Sequence, residues 1–290
     1  MGRPLIGYED FYQLANVVVT DPSEESGFPA TRLRDHKSYD LWKPLGTDGP
    51  KTHYYTVDLG DGTGGTPGPT GVDYFACINH TLKSSNAQFF IELSTDNFAS
   101  VVITLGFGTP TFDRSFCFSV QDAALPAWRY WRVRIDNLDA TEYANLAIGE
   151  IRVGRGVVLP EGVNWRGFDP WNYLPRSREH FSAAGVPIRS VTESIGRDQR
   201  CPVQNITRAF LEDNTENTGF RWWHDNVATK GGFSVFSWFP EPLGWTYNTA
   251  FNCLWGSVKG GDVDVKAKRP DAQGGLWDLN FTVTGRGELE

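Results

Sequence analysis

Short segments in the first half of the chain are apolar or alternate between apolar and polar residues. In residues 131–135, for example, Trp131, Val133 and Ile135 fall on one face of an extended chain and two arginines on the other. Because successive side chains of a strand point to opposite faces, this pattern predicts strands with one buried face. The segments of this kind are 17–19, 55–60, 89–93, 101–105, 116–120, 131–135 and 148–154. Several such strands at short spacing indicate an antiparallel β-sandwich.

The pattern lapses between residues 157 and 189, a segment that contains Pro170, Pro175 and Pro187 among scattered aromatic residues. Aromatic side chains need burial, so we interpret residues 156–189 as a linker packed on a surface rather than as a disordered segment.

A helix is predicted in the second half of the chain. It would begin at Asp213, because Glu216 follows three residues on and completes a capping box. Its buried stripe would consist of Phe220, Trp223 and Val227, and a Gly-Gly pair would end it.

Strands are predicted on both sides of this helix, at residues 204–211, 233–240, 263–268 and 277–284. The last of these alternates most regularly between apolar and polar residues. The sequence therefore predicts an all-β protein of two units joined by the packed linker: a jelly-roll sandwich in residues 1–155 and a β-sandwich carrying one helix in residues 190–290.

Composition narrows the classes of function. Aromatic residues make up 14% of the chain and glycines number 31, which suits strands joined by tight turns. The formal net charge of −8 argues against specific nucleic-acid binding, which needs a basic surface. No apolar stretch approaches the ~18 residues of a membrane span, and the first residues lack the apolar core of a signal peptide.

The four cysteines, Cys77, Cys117, Cys201 and Cys253, do not stand in close pairs. Buried thiols in a protein made in a reducing cytoplasm are the favoured interpretation. Disulfides joining Cys77 to Cys117 and Cys201 to Cys253 remain open.

No catalytic constellation is evident from the residues. Residues 60–65 fit the dinucleotide-binding pattern G-x-G-x-x-G, but the following "TPGPTG" cannot form the helix that such a site needs. The five histidines are scattered, without metal-ligand spacing, and no serine lies in a nucleophile-elbow motif. We therefore expect no cofactor, no metal and no enzymatic activity.

Aromatic residues around the predicted helix are candidates for a sugar-stacking or protein-binding surface. Trp223 fits the buried stripe and is interpreted as core. Trp222, Trp238 and Trp245 fall off the predicted inward faces, so they are the candidates for an interface.

The first half also resembles a known family. The segments "FPATRLRDHKSYDLW", "YYTVDLG", "FFIELSTD" and "AWRYWRVRIDN", followed by "IGEIRVG", resemble in order and spacing the discoidin, or coagulation-factor C-type, galactose-binding-like domain. The resemblance covers roughly residues 10–155 and implies an eight-stranded jelly roll.

The same resemblance implies roles for the first quoted segment. Asp35 would accept backbone N–H groups and fix a loop, and Trp42 would cover the end of the barrel. His36, Lys37 and Tyr39 would lie exposed at the loop tip. Such loops bind sugars or lipids in the family, so these three residues are the candidates for carbohydrate or partner binding.

The second half resembles phage tail proteins of the distal-tail or hub kind, through "NITRAFL", "NVATKGG", "FSVFSWFP" and "LWDLNFTVTGRG". This resemblance implies a structural protein of a long-tailed phage, made in the host cytoplasm and located in the virion tail. Its partners would be itself, in a hexameric ring, the tail tube, other tail-tip proteins and a host-surface glycan. The alternatives are a carbohydrate-binding, lectin-like protein and the binding module of a glycan-degrading enzyme.

Overall fold

The computed structural model describes most of the chain, with gaps. The described residues are 4–14, 16–45, 51–66, 68–100, 102–110, 113, 115–119, 127–137, 145–160, 173–181, 187–216, 218–237, 253–269 and 275–285.

The described part of the chain consists mainly of β-strands. They are β1 (Leu5–Gly7), β2 (Val18–Thr20), β3 (Lys51–Asp58), β4 (Tyr74–His80), β5 (Ala87–Ser94), β6 (Ile103–Gly108), β7 (Phe116–Ser119), β8 (Tyr130–Asn137), β9 (Ile148–Gly154), β10 (Gly156–Val158), β11 (Tyr173–Phe181), β12 (Pro187–Thr207), β13 (Phe233–Ser237), β14 (Cys253–Arg269) and β15 (Leu276–Gly285). The helical segments are short: two 3₁₀ helices (Phe11–Gln13 and Ala30–Arg34), α1 (Arg208–Glu212), α2 (Phe220–Trp223) and a π-helical segment (His224–Ala228). The predicted all-β class is confirmed.

Eight of the strands form a jelly-roll sandwich. A five-stranded sheet in the order β2-β3-β8-β5-β6 lies opposite a three-stranded sheet in the order β7-β4-β9. The neighbouring strands pair antiparallel, as the sequence pattern predicts.

The predicted inward faces of these strands are confirmed. Trp131 and Val133 of β8 are fully buried, as are Ile91 and Leu93 of β5. They belong to one apolar cluster between the two sheets. Burial of such side chains, at roughly 25 cal/mol per Å² of apolar surface, is the main force that holds the two sheets together.

The three-stranded sheet is covered on both faces. All seven residues of β4 and all seven of β9 are buried. On the outer face, Tyr74, Ala76 and Ile78 of β4 pack in a second cluster with Val235 and Trp255, which lie in β13 and β14. Strand β4 was not predicted, because a strand buried on both faces has no apolar–polar alternation.

The remaining seven strands form a single sheet in the order β10-β1-β13-β14-β15-β12-β11. Its strand β1 comes from the N-terminus and lies between β10 and β13. Residues 4–7 therefore belong by hydrogen bonding to the same sheet as the second half of the chain. The independence of the predicted units 1–155 and 190–290 stays a prediction.

The segment 156–189, which we interpreted as a packed linker, contains β10 and β11 and the start of β12. These strands were missed for a physical reason. Strand β11 has the sequence "YLPRSREHF", which lacks apolar alternation, and its backbone pairing with β12 cannot be seen in side-chain pattern.

The helix start was also predicted wrongly. Residues 208–212, assigned to a strand, form α1, whose first turn is capped by the side chain of Thr207. Asp213 ends α1, and its Oδ1 accepts from the backbone N of Thr215 at 3.0 Å, so no capping box forms with Glu216. The next helix begins only at Phe220.

The predicted stripe of that helix does face the core. Phe220 and Trp223 are buried in a third apolar cluster beneath the seven-stranded sheet, and Val227 is partly buried against it. The cluster also includes Ile6 of β1. All four cysteines are buried free thiols, so the disulfides that the sequence left open do not form.

We predict that Ile6→Ala lowers the free energy of unfolding by about 2–5 kcal/mol. Ile6 is fully buried in a strand of the seven-stranded sheet, so truncating its side chain leaves a cavity. Val18→Ala in β2, where Val18 is 64% exposed, is the matched control and should change stability by less than about 0.5 kcal/mol. Urea unfolding measures both variants. An Ile6→Ala protein as stable as the control would mean that β1 is not an interior strand.

Candidate functional site

The loop of residues 35–39 follows the second 3₁₀ helix and is built from tight local hydrogen bonds. Oδ1 of Asp35 accepts from the backbone N of Lys37 at 2.9 Å, and the carbonyl of Lys37 accepts from the N of Asp40 at 2.8 Å. His36 between them has a φ of 62°, the left-handed conformation. A non-glycine residue in this conformation has to be held there by its surroundings.

Side chains of strands β4 and β9 form hydrogen bonds with the backbone of the loop. Asn79 Nδ2 donates to the carbonyl oxygen of Ser38 at 2.6 Å. Glu150 Oε1 accepts from the backbone N of His36 at 3.1 Å. Gly149 lies so close to the loop that a Cβ on it would overlap the Ser38 carbonyl. The backbone of the loop is therefore fixed at three consecutive points.

A buried charge network lies under the loop. Arg152 of β9 is 2% exposed and donates from Nη1 to Asp10 Oδ2 at 3.0 Å. Its Nη2 donates to Glu150 and lies 2.6 Å from Nδ1 of His36. Asp10 in turn accepts from the backbone N of Tyr12 at 3.1 Å. The network thus joins three distant parts of the chain.

The same contacts fix the protonation state of the histidine. Because a guanidinium only donates, Nδ1 of His36 must accept, and the ring is neutral with its proton on Nε2. Although part of the His36 side chain is exposed, loss of hydration and, to a smaller extent, the nearby Arg152 charge together lower its pKa to about 4.

The pKa values of the carboxyl groups in the network are raised rather than lowered. Burial raises the pKa of Glu150 to about 7, against the opposing effect of Arg152. Burial also raises the pKa of Asp10, again partly offset by Arg152. Desolvation dominates because these groups lie in a region closed to water.

The three residues predicted at the loop tip are all exposed. Tyr39 is 59% exposed, and Lys37 and His36 are exposed as well. His36 differs from the other two in that its Nδ1 contacts the buried network. The exposed groups of the loop thus include an aromatic ring and an ammonium group, both of which are common in ligand-binding sites.

Trp42 lies below the other end of the same segment. It is fully buried, donates from its backbone N to the carbonyl of Ile148 at 2.8 Å, and meets the His53 ring edge-on at 5.8 Å between centroids. Trp42 is therefore a core residue, whereas the partly exposed Asp35 bonds within the loop.

The three tryptophans proposed for an interface divide into two groups. Trp222 is half-buried and stacks on Tyr8 with ring centroids 5.5 Å apart. Trp238 and Trp245 lie outside the described residues.

A charged cluster that no sequence pattern indicated lies on the outer face of the five-stranded sheet. Glu92 is buried there between Arg132, at 2.5 Å, and Arg134, at 3.1 Å. The Phe98 and Tyr54 rings stack on the Arg132 guanidinium at 3.9 and 4.3 Å. Since these charges and rings are partnered within the chain, we interpret the cluster as structural.

The described residues contain no group of three potential metal ligands. A helix long and apolar enough to cross a membrane is likewise absent from the part of the chain that the structure describes.

No family model and no curated protein matches the chain. Among solved structures, a chitosan-binding module of a chitosanase/glucanase from Paenibacillus sp. IK-5 is 19% identical with a TM-score of 0.36, and the match covers 50% of this chain and 98% of that one. The family 32 CBM of NanJ from Clostridium perfringens, in complex with galactose, is 15% identical with a TM-score of 0.35, covering 51% and 98%. Reduced XRCC1 bound to the DNA polymerase β catalytic domain is 13% identical with a TM-score of 0.34, covering 52% and 99%. At these identities the likenesses carry no information about the ligand of this chain.

The pKa shifts predict a pH-dependent effect of replacing Glu150. Between about pH 4.5 and 7 the folded protein keeps a proton on Glu150 that the unfolded chain has lost, so the contribution of this group to stability falls as the pH rises. Glu150→Gln lacks that contribution but can still accept from His36. Its Tm relative to wild type should therefore rise from pH 4.5 to 7, as thermal unfolding at several pH values would measure.

His36→Asn is the control, and the pH dependence of its Tm relative to wild type should have the opposite sign. Between about pH 4 and 6.5 the unfolded histidine holds a proton that the folded ring lacks, so the contribution of His36 to stability rises with pH. The Tm of His36→Asn relative to wild type should fall over this range, and asparagine tolerates the left-handed backbone. If the difference in Tm between each variant and the wild type does not change with pH, the assigned network is wrong.

Proposed function

We propose that this protein is a non-catalytic carbohydrate-binding protein, and that the 35–39 loop of its jelly roll is the binding site. The observation that carries the proposal is the rigidity of this loop. Its backbone is fixed by Asp35, Asn79 and Glu150, while the Tyr39 ring and the Lys37 ammonium group remain exposed.

This arrangement suits a sugar for two reasons. The face of an aromatic ring packs against the C–H face of a pyranose, and an ammonium group donates hydrogen bonds to hydroxyl oxygens. A loop that is ordered before binding loses little conformational entropy when the ligand arrives. The resemblance of residues 10–155 to discoidin domains, whose loops bind sugars or lipids, supports the same function.

We predict that Tyr39→Ala weakens sugar binding about 2- to 13-fold, the range that corresponds to the loss of one aromatic stacking contact. Galactose and chitosan oligomers, the ligand classes that two of the matched structures name, are suitable probes. Isothermal titration calorimetry or ligand-observed NMR would measure the affinity.

Tyr54→Ala is the matched control, because Tyr54 is a 41% exposed tyrosine on the outer face of the five-stranded sheet. It should bind as wild type does. Equal weakening in both variants would place the site elsewhere, and the absence of any binding by the wild-type protein to these probes would count against the proposal.

A second candidate function is assembly into a ring at a phage tail tip, to which the resemblance of the second half points. One observation favours self-association. Strand β11 (Tyr173–Phe181) lies at one edge of the seven-stranded sheet and pairs with β12 only, as far as the described residues go. A nine-residue edge offers backbone donors and acceptors to a strand of another copy.

Assembly into a ring predicts a native particle whose mass is a fixed multiple of 32.4 kDa, six-fold for the hexamer that we expect. Native mass spectrometry across a range of concentrations would detect it. A protein that stays monomeric at high concentration and is absent from purified tails would rule out this candidate function, without affecting the sugar-binding proposal.

A further inference from the structure

Trp255 of β14 lies at the contact between the jelly roll and the seven-stranded sheet. It is 3% exposed and belongs to the apolar cluster that covers the outer face of the three-stranded sheet. Its indole packs on Phe233 of the neighbouring strand, with ring centroids 5.4 Å apart. The position of the ring is thus set by the seven-stranded sheet.

The indole is also the surface on which Arg152 rests. The Cζ atom of Arg152 lies 4.5 Å from the centre of the Trp255 ring. The edges of the guanidinium face Asp10, Glu150 and His36. A buried guanidinium needs partners for its donors and contact for its flat faces, and Trp255 provides that contact from outside the jelly roll.

His36 connects this contact to the loop. Its ring lies almost parallel to the Trp255 ring, at 6.3 Å between centroids and 26° between planes. Its Nδ1 meets Arg152, and its backbone N donates to Glu150. The residue next to it is Lys37, one of the two exposed side chains of the proposed binding surface.

We propose that Trp255 is a positioning residue for the 35–39 loop: acting through Arg152 and His36, it makes the conformation of the ligand-binding loop depend on the seven-stranded sheet. The inference rests on the proposed function of the loop and adds to it a coupling between the two halves of the chain. Because such coupling is reciprocal, a ligand that favours the ordered loop also favours the packing of Trp255 against Arg152.

The coupling has a readout that does not require a ligand, namely the pKa of His36. The charged group that acts on this ring is Arg152, and the ionisable groups that act on Arg152 are Asp10, Glu150 and Tyr74. A smaller side chain at position 255 would admit water to the ring and to Arg152. The pKa of His36 should then rise from about 4 toward the ordinary value of about 6.5.

The experiment compares Trp255→Phe and Trp255→Leu with Trp223→Phe in the full chain. Trp223 is a fully buried tryptophan in the core of the same half and is not among the partners of Arg152, so it controls for general destabilisation. NMR titration of the His36 ring and calorimetric titration with galactose are recorded for each variant.

We expect the His36 pKa to rise in the order wild type, Trp255→Phe, Trp255→Leu, since phenylalanine keeps a smaller π-face and leucine none. Galactose affinity should fall in the same order, by about 2- to 30-fold, the range of cation–π energies expressed as a ratio of dissociation constants. Trp223→Phe should change neither quantity. Should Trp255→Leu fail to fold, Trp255→Phe alone still gives the comparison.

A Trp255→Phe protein whose His36 pKa and galactose affinity equal those of Trp223→Phe would overturn the inference. If galactose binds to none of the proteins, the ligand assignment of the loop fails. The His36 titration still decides whether Trp255 positions the loop.

Discussion

A guanidinium group cannot be removed from water without hydrogen-bond partners, and the burial of Arg152 imposes that constraint on the centre of this molecule. Its hydrogen-bond partners are Asp10, which caps the first 3₁₀ helix, His36 of the 35–39 loop and Glu150 of its own strand, and Trp255 covers its flat face. Leaving one such buried charge unpaired costs about 3–5 kcal/mol, whereas an apolar replacement for the whole network can be neutral.

The position of this network follows from the layering of the sheets. The three-stranded sheet lies between the five-stranded sheet and the seven-stranded sheet, so β4 and β9 have no face in water. A polar residue on the outer face of β9 must then be satisfied within the protein. Arg152 and Glu150, two residues apart on that strand, bond to each other and meet part of this requirement, while Arg152 Nε and Glu150 Oε2 have no hydrogen-bond partner among the described residues. The carboxylate also bonds to the backbone of His36.

The proposed binding loop combines a rigid backbone with exposed side chains because of this arrangement. The hydrogen bonds that fix residues 35–39 all run inward, to Asn79, to Glu150 and within the loop itself. The Lys37 and Tyr39 side chains are directed outward by the same turn. Trp222, which the sequence suggested as an interface residue, instead stacks on Tyr8 near the junction of the two halves of the chain.

The sequence by itself determined the strands that have one buried face. Alternation in residues 89–93 and 131–135 is a local property, so it specified both the strands and their inward residues, and the order of the family-like segments indicated the eight-stranded jelly roll.

Only the tertiary structure decided the rest. Strand β4 has both faces buried, β11 is held by backbone pairing, and residues 208–212 turn into a helix where a strand pattern continued. The resemblance placed residues 36, 37 and 39 in an exposed loop held by Asp35, but it did not indicate the contacts beneath that loop. Asp10, Glu150, Arg152 and Trp255 acquire their roles from contacts between distant segments, which local pattern does not record.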